Sequence, residues 1–241
     1  METNSFNTNR ALGERVEDVR LRIHQHCDRV GRSPQSVTLV GVTKTFSAEV
    51  CREVHRLGVL DLGENYVSEY LEKSAALSDL IPQIRWHFIG HLQTNKAARI
   101  LRNVHLIHTV DRPSLVDTLA QKADLLGISV PILMQVNIAG DSSKFGCTPD
   151  QAPALVQHIR RYPALHIQGI MTIGPITDTA EGSRPVFRAL RTLRDQLADT
   201  FGETPTCRWT HLSMGMSHDF GVAIEEGATI VRVGTALFGH R

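Results

Sequence analysis

The feature that most constrains this chain is an alternation. From Val37 onward, short runs rich in β-branched and apolar residues take turns with amphipathic segments of helical spacing, about eight times over. The candidate strands are 37–43, 59–62, 85–89, 104–109, 130–138, 165–172, 208–213 and 229–233. Between them lie helix signatures. Val50, Val54 and Leu57 share a face, with Gly58 at the C-cap position. Pro113 suits a first helical turn, Leu115, Leu119 and Leu126 follow, and Gly127 is the stop. Thr148-Pro149 reads as N-cap and first helical residue. Val186, Leu190, Leu193 and Leu197 form a stripe that ends before Gly202. No Gly/Ser-rich linker divides the series. The pattern predicts an α/β fold, a single (β/α)8 TIM barrel. An open doubly wound sheet is the alternative, but no G-x-G-x-x-G follows the first strand.

Ahead of the first strand, Leu12, Val16, Val19 and Ile23 predict an extra N-terminal helix, and Ser33-Pro34 breaks the chain after it. Residues 1–8 are polar and are expected to form a flexible N-terminus to a single domain spanning 9–241. Lys+Arg 26 against Asp+Glu 25 gives a net charge of +1, so no global field favours nucleic acid or an anionic membrane. Cys27, Cys51, Cys147 and Cys207 are dispersed, which points to free thiols in a reducing compartment. The first residues show no basic and apolar signal pattern, and no run approaches the 18 apolar residues of a membrane span. The expected location is cytoplasmic.

In a barrel of this kind the C-terminal strand ends carry the chemistry. The first strand delivers Lys44 to that face. A partly desolvated amine sheds its proton more readily, and a neutral amine attacks an aldehyde to form a Schiff base. The bland reading is a lysine whose stem covers a strand end. Other polar groups follow the strands in turn: Glu64-Asn65, His87 with His91, Asp111, Asn137, Met171-Thr172, His211 to Ser217, and Arg232 to Thr235. Ser213-Met214-Gly215-Met216-Ser217 and Gly234-Thr235 follow the last two strands. Barrels commonly bind phosphate there, on backbone N–H groups. A metal is not expected. His87 and His91 bracket a strand end, His105 and His108 are expected on opposite faces of a strand, and no His-Glu-x-x-His occurs.

Five segments together carry a resemblance. They are Val42-Thr43-Lys44-Thr45, Gly63-Glu64-Asn65-Tyr66, the run from Trp86 through His87, Gly90 and Gln93 to Lys96, Leu212 to Asp219 and Val231 to Gly239. In combination and order they resemble the pyridoxal 5′-phosphate (PLP) homeostasis protein family, also described as YggS-like or proline synthetase co-transcribed homologues. The resemblance covers about Val37 to Gly239. It implies a barrel of the alanine racemase N-terminal type, the PLP fold-type III kind. It implies PLP as cofactor, held as a Schiff base on Lys44. It places phosphate contacts on Ser213, Met214, Gly215, Gly234 and Thr235, Arg232 beside the pyridine nitrogen, and Asn65 near the ring. His87 and Met171 complete the candidate cofactor residues. Lys144 matches a lysine sometimes linked to a secondary PLP contact. His218 and Ile173-Gly174-Pro175 depart from the family pattern.

The implied role is a PLP carrier in vitamin B6 homeostasis, with PLP-dependent apoenzymes as partners and no established turnover. The chain ends soon after its eighth strand, which leaves no room for a racemase's second β-domain. Tyr66, Tyr70 and Tyr162 are its only tyrosines, so the two-base arrangement for racemisation is expected to be missing. Two alternatives remain: a PLP-dependent racemase or decarboxylase of unknown substrate, and a Schiff-base aldolase without PLP. A monomer is expected, with a dimer as the alternative.

Overall fold

The computed structural model describes the backbone of residues 2–239 and the side chains of residues 11–239. Eight strands, β1 (Thr38–Val42), β2 (Asp61–Glu64), β3 (Arg85–Phe88), β4 (Val104–Val110), β5 (Val130–Gln135), β6 (Leu165–Met171), β7 (Cys207–Ser213) and β8 (Ile230–Val233), pair in chain order into a closed barrel. Every pairing is parallel, and β1 meets β8 with Thr38 opposite Ile230 and Gly41 opposite Val233. Around it run α1 (Glu2–Arg29), α2 (Ala48–Arg56), α3 (Val67–Ala76), α4 (Pro113–Leu126), α5 (Ala152–Ile159), α6 (Arg184–Phe201), α7 (Phe220–Glu225) and α8 (Thr235–Phe238). The alternation in the sequence is thus the (β/α)8 barrel itself. The frayed segment expected at 1–8 falls on residues whose side chains lie outside the description.

The punctuation acts as the residue chemistry requires. Gly127 ends α4 at φ 62, a left-handed conformation that glycine enters without a steric penalty. Gly58 follows α2 at φ 80. Thr148 closes a capping box with Gln151, which leads through a short 3₁₀ turn into α5. Two strands, the second and the fifth, differ from expectation by two residues or more, and the others by at most one at either end. The second strand starts at Asp61, because Val59 N–H still closes the end of α2 on the Val54 carbonyl. The fifth stops at Gln135, where Val136 and Asn137 turn to meet Cys147.

Most of the core lies between the strands' outer faces and the helices. A smaller apolar cluster, Val40, Leu106, Leu133, Met171 and Ile230, comes from five different strands and fills part of the barrel interior. The rest of that interior is polar. One irregularity shapes it: Trp86 pairs with Val104 but His87 with Leu106, so His105 is the extra residue of a β-bulge. The expectation that His105 and His108 lie on opposite faces is therefore corrected. Both rings approach His87, with centroids 5.4 and 5.1 Å away. All four cysteines are free and buried.

Helix α1 docks through Leu12, Val16, Val19, Ile23 and Cys27, all buried at helical spacing. It lies against α2, α7 and α8, across the seam where β8 meets β1. Polar ties fix its register: Arg15 Nε donates to the Leu237 carbonyl at 2.7 Å and Arg20 to that of Leu57 at 2.8 Å. Beyond the helix, Arg32 reaches the Ile224 and Ala228 carbonyls. Replacing Ile23 with Ala should cost about 2–5 kcal/mol, the range for truncating a buried isoleucine. Urea denaturation reads this as a lower midpoint at unchanged slope.

Candidate functional site

Lys44 sits two residues past the end of β1, and the turn that carries it is unusually well held. Thr45 adopts φ 66, a left-handed conformation that costs a threonine of order 1–3 kcal/mol. Its N–H donates to Glu69 Oε2 at 2.6 Å. Behind the turn, Lys73 Nζ donates to the Thr43 carbonyl at 2.7 Å, to Glu64 Oε1 at 2.8 Å and to Glu69 Oε2 at 2.9 Å. Thr43 Oγ1 donates to the same Glu64 oxygen at 2.6 Å. Lys73 and Glu64 are both buried. Burial pushes the Glu64 carboxyl up despite its partners, since its second oxygen, Oε2, has no hydrogen bond. On Lys73 burial works against the charge, but the bonds from Glu64 and Glu69 outweigh it and raise its pKa. Lys73 is therefore a cation that staples β2 and α3 to the turn bearing Lys44.

Lys44 lines a cavity of about 530 Å³ with Phe46, Met216, Ser217, Arg232, Gly234 and Thr235 among its neighbours. The residues come together because β1 pairs with β8. At the β8 end, Gly234 N–H and Ala236 N–H both donate to Ser217 Oγ, at 3.1 and 3.2 Å. Two backbone donors aimed at one point make an anion-binding concavity, and here a hydroxyl occupies the point. The loop that brings Ser217 depends on Gly215 at φ 90, where a Cβ would lie 2.6 Å from Ala223 Cβ. Asp219 Oδ1 accepts Met216 N–H at 2.7 Å and fixes the same turn.

Arg232 is buried at 5 % exposure. It donates to Ser213 Oγ at 2.7 Å and to the Thr172 carbonyl at 2.9 Å. Burial pulls its pKa down to about 10, with Asp219 pulling the other way, so it remains a cation at neutral pH. Ser213, assigned to phosphate by motif, is fully buried, and its hydroxyl contacts Arg232 and, at 2.9 Å, His108 Nδ1. It faces the barrel interior, and Met214 and Gly215 are buried with it. The hydroxyl of that segment which reaches the cavity is Ser217's.

The remaining candidates are distributed as follows. Asn65 lines a neighbouring cavity of about 510 Å³ with Tyr66, His91, Gln135 and Phe145. His91 stacks on Phe145 there, centroids 3.7 Å apart. His87 points into the barrel interior, bonded to Asp61 and His108. Met171 belongs to the interior apolar cluster. Lys144 Nζ donates to the Gly174 carbonyl at 2.9 Å and pairs with Asp141 at 3.4 Å. Among the described residues no three His, Cys, Asp or Glu groups converge as metal ligands. Sequence reasoning passed over Ala236, Lys73 and Glu69; the Glu69-Lys73 spacing was the available signal.

The family described as "Alanine racemase, N-terminal domain" matches residues 22–241. A relative from Aquifex aeolicus (strain VF5), described as "Pyridoxal phosphate homeostasis protein", is 44% identical over 228 residues, 95% of this chain and 97% of the relative. The structure of PipY from Synechococcus elongatus PCC7942, described as having PLP bound, superposes with a TM-score of 0.82 at 35% identity, covering 95% of this chain and 100% of that one. Alanine racemase of Clostridium difficile 630 shares the fold, with a TM-score of 0.69 at 13% identity over 93% of this chain and 57% of that one.

The buried cation behind the site makes its own prediction. Lys73→Met strands the Glu64 carboxylate and should cost about 3–5 kcal/mol at pH 7. The penalty should shrink as pH falls, because Glu64 protonates and no unpaired charge remains. Adding Glu64→Gln should recover part of the loss. Thermal unfolding of the single and double variants at pH 7 and pH 5 measures all three effects.

Proposed function

Because the chain belongs to the alanine racemase N-terminal domain family, we propose that it binds PLP covalently through Lys44 and serves vitamin B6 homeostasis as a carrier. The observation that carries this reading is the single cavity shared by Lys44, Arg232 and the Gly234–Thr235 turn. PLP fits what the residues offer: an amine, a pair of converging N–H donors and a buried guanidinium. When bound, it supplies an aldehyde to the amine and an electron-withdrawing ring. The relatives named above support the choice of ligand.

Each residue then has a defined task. The clamped turn of Thr43 to Thr45 holds Lys44 Nζ at a fixed place in the cavity mouth. Gly234 and Ala236, whose N–H groups converge on Ser217 Oγ, would hold the phosphate together with that hydroxyl. Arg232, which has no acceptor atom, can only donate toward a ring nitrogen and so holds that nitrogen without a proton. An unprotonated ring draws electrons weakly, which suits storage better than turnover.

A second base facing the cavity is the feature that would argue for racemisation. Tyr66 is exposed and lines the neighbouring cavity. Tyr70 donates to the Ile100 carbonyl, and Tyr162 donates to Asp117 Oδ1. No tyrosine lines the Lys44 cavity, and His218 is the titratable side chain that faces it beside Lys44 and Arg232; we propose no amino-acid turnover, a cytoplasmic location, a monomeric state, and delivery of PLP to PLP-dependent apoenzymes. No helix among the described residues is long and apolar enough to cross a membrane.

Borohydride reduction after saturation with PLP should leave a pyridoxyl group on Lys44 by peptide mapping. Labelling confined to other lysines would overturn the assignment. Chiral analysis after long incubation with either isomer of alanine should show no racemisation above that of free PLP; a clear excess would make the protein an enzyme. Pyridoxal, which lacks the phosphate, should bind at least tenfold more weakly. Each hydrogen bond to a charged group is worth about 1.5–3 kcal/mol, and two backbone donors converge here.

A further inference from the structure

We propose that Asp61, His87, His108 and Ser213 form a one-way hydrogen-bond relay that aims the Arg232 guanidinium into the Lys44 cavity from the opposite end of the barrel. Only the ligand at its upper end rests on the PLP reading; the relay's direction does not.

The contacts are continuous. Arg85 donates to Asp61 Oδ1 through Nε at 2.8 Å. Asp61 Oδ1 lies 2.9 Å from His87 Nε2, His87 Nδ1 lies 2.8 Å from His108 Nε2, and His108 Nδ1 lies 2.9 Å from Ser213 Oγ. Arg232 NH1 donates to Ser213 Oγ at 2.7 Å. Asp61 and Arg85 open β2 and β3, at the N-terminal mouth, whereas Ser213 closes β7 at the other face. The path therefore climbs the whole interior. The bulge at His105 makes this possible. Without it His105, Ile107 and Thr109 would face inward, and His108 would point into the outer core.

The two ends point the proposed bonds between them in one direction. Arg232 has no acceptor, so Ser213 oxygen must accept from it and keeps its own proton to give. Asp61 is a carboxylate: burial alone would raise its pKa, but the bonds from His87 and Arg85 bring it down to about 2. It can only accept, so His87 carries its proton on Nε2. In a neutral His87, Nδ1 is then bare and accepts from His108 Nε2–H. His108 Nδ1 is bare in turn and accepts the Ser213 hydroxyl. One proton in each gap requires both imidazoles to be neutral.

The surroundings agree. The ionisable groups that face His108 are His87, Arg232, His211 and His105, all of the cationic kind, and with burial they hold its pKa well below the ordinary value. Reversing the relay would have Ser213 Oγ accept from both His108 Nδ1–H and Arg232, leaving its own proton without a partner in the relay. Asp61, His87 and His108 are thus positioning residues that never touch the cofactor.

Two measurements test this. In the unloaded protein at pH 7, imidazole nitrogen NMR should show His87 and His108 as neutral Nε2–H tautomers. An Nδ1–H tautomer or an imidazolium at His108 overturns the direction. Then Asp61→Asn, at the far mouth, should weaken PLP binding about tenfold and shift the absorption band of the bound cofactor. His108→Asn keeps an acceptor near Ser213 but cuts the link to His87, and should do the same. Thermal melts of both unloaded variants identify any loss due to unfolding alone. Folded variants with wild-type affinity and an unchanged band would refute the relay. Failure of the wild-type protein to bind PLP would instead sink the cofactor reading and leave the tautomer result standing.

Discussion

Closure of the sheet through β1 and β8 is the constraint on which everything else rests. It removes both sheet edges, so each strand's backbone groups are satisfied by neighbours. It also brings Lys44 and Gly234, 190 positions apart in the chain, to one cavity. Three glycines let the ring close tightly. A Cβ on Gly169 would lie 1.9 Å from the His211 carbonyl oxygen, one on Gly90 2.0 Å from that of Asn65, and one on Gly63 2.9 Å from Val40 Cγ1. The first two are backbone-to-backbone approaches that no rotamer change could relieve.

The barrel wall separates two polar systems that serve the same cavity from different sides. Outside β2, Lys73 with Glu64 and Glu69 holds the turn that carries Lys44. Inside, a line of imidazoles leads from Asp61 through Ser213 to Arg232. Buried ions of this kind are weak sources of net stability, since desolvation opposes their attraction. What they secure is position: a lysine and an arginine held at set places in one cavity. That is what a binding site for a small dianion with a reactive carbonyl requires.

The strands were legible because parallel strands buried on both faces read as apolar runs, and the helices because Gly58, Gly127 and Thr148 mark their ends. Lys44 was legible for the same reason: its place follows from the strand before it. The misread boundaries at 59–60 and 136–138 are apolar stretches that continue past the ladder. What stayed hidden depends on register. A bulge of one residue moved His108 inward and cannot be read from alternation. Two serines four apart, one ending β7 and one in the loop after it, carry the same hydroxyl, yet Ser213 faces the interior and Ser217 the cavity. Lys73 reads as half of an ordinary surface pair with Glu69 until Glu64 is seen behind it.

The four buried thiols have a practical consequence for anyone wishing to watch this molecule. Cys51 and Cys147 sit where burial pushes their pKa to about 11 and about 12, and Cys27 and Cys207 are raised as well. Thiolate is the reactive form, so none of the four competes for a maleimide dye near neutral pH. A single cysteine placed at an exposed rim position such as Ile176 would be the one labelled residue. The native chain is in this sense already a cysteine-silent background, ready for a fluorescent reporter on the segment that follows β6 without any prior removal of its own sulfur.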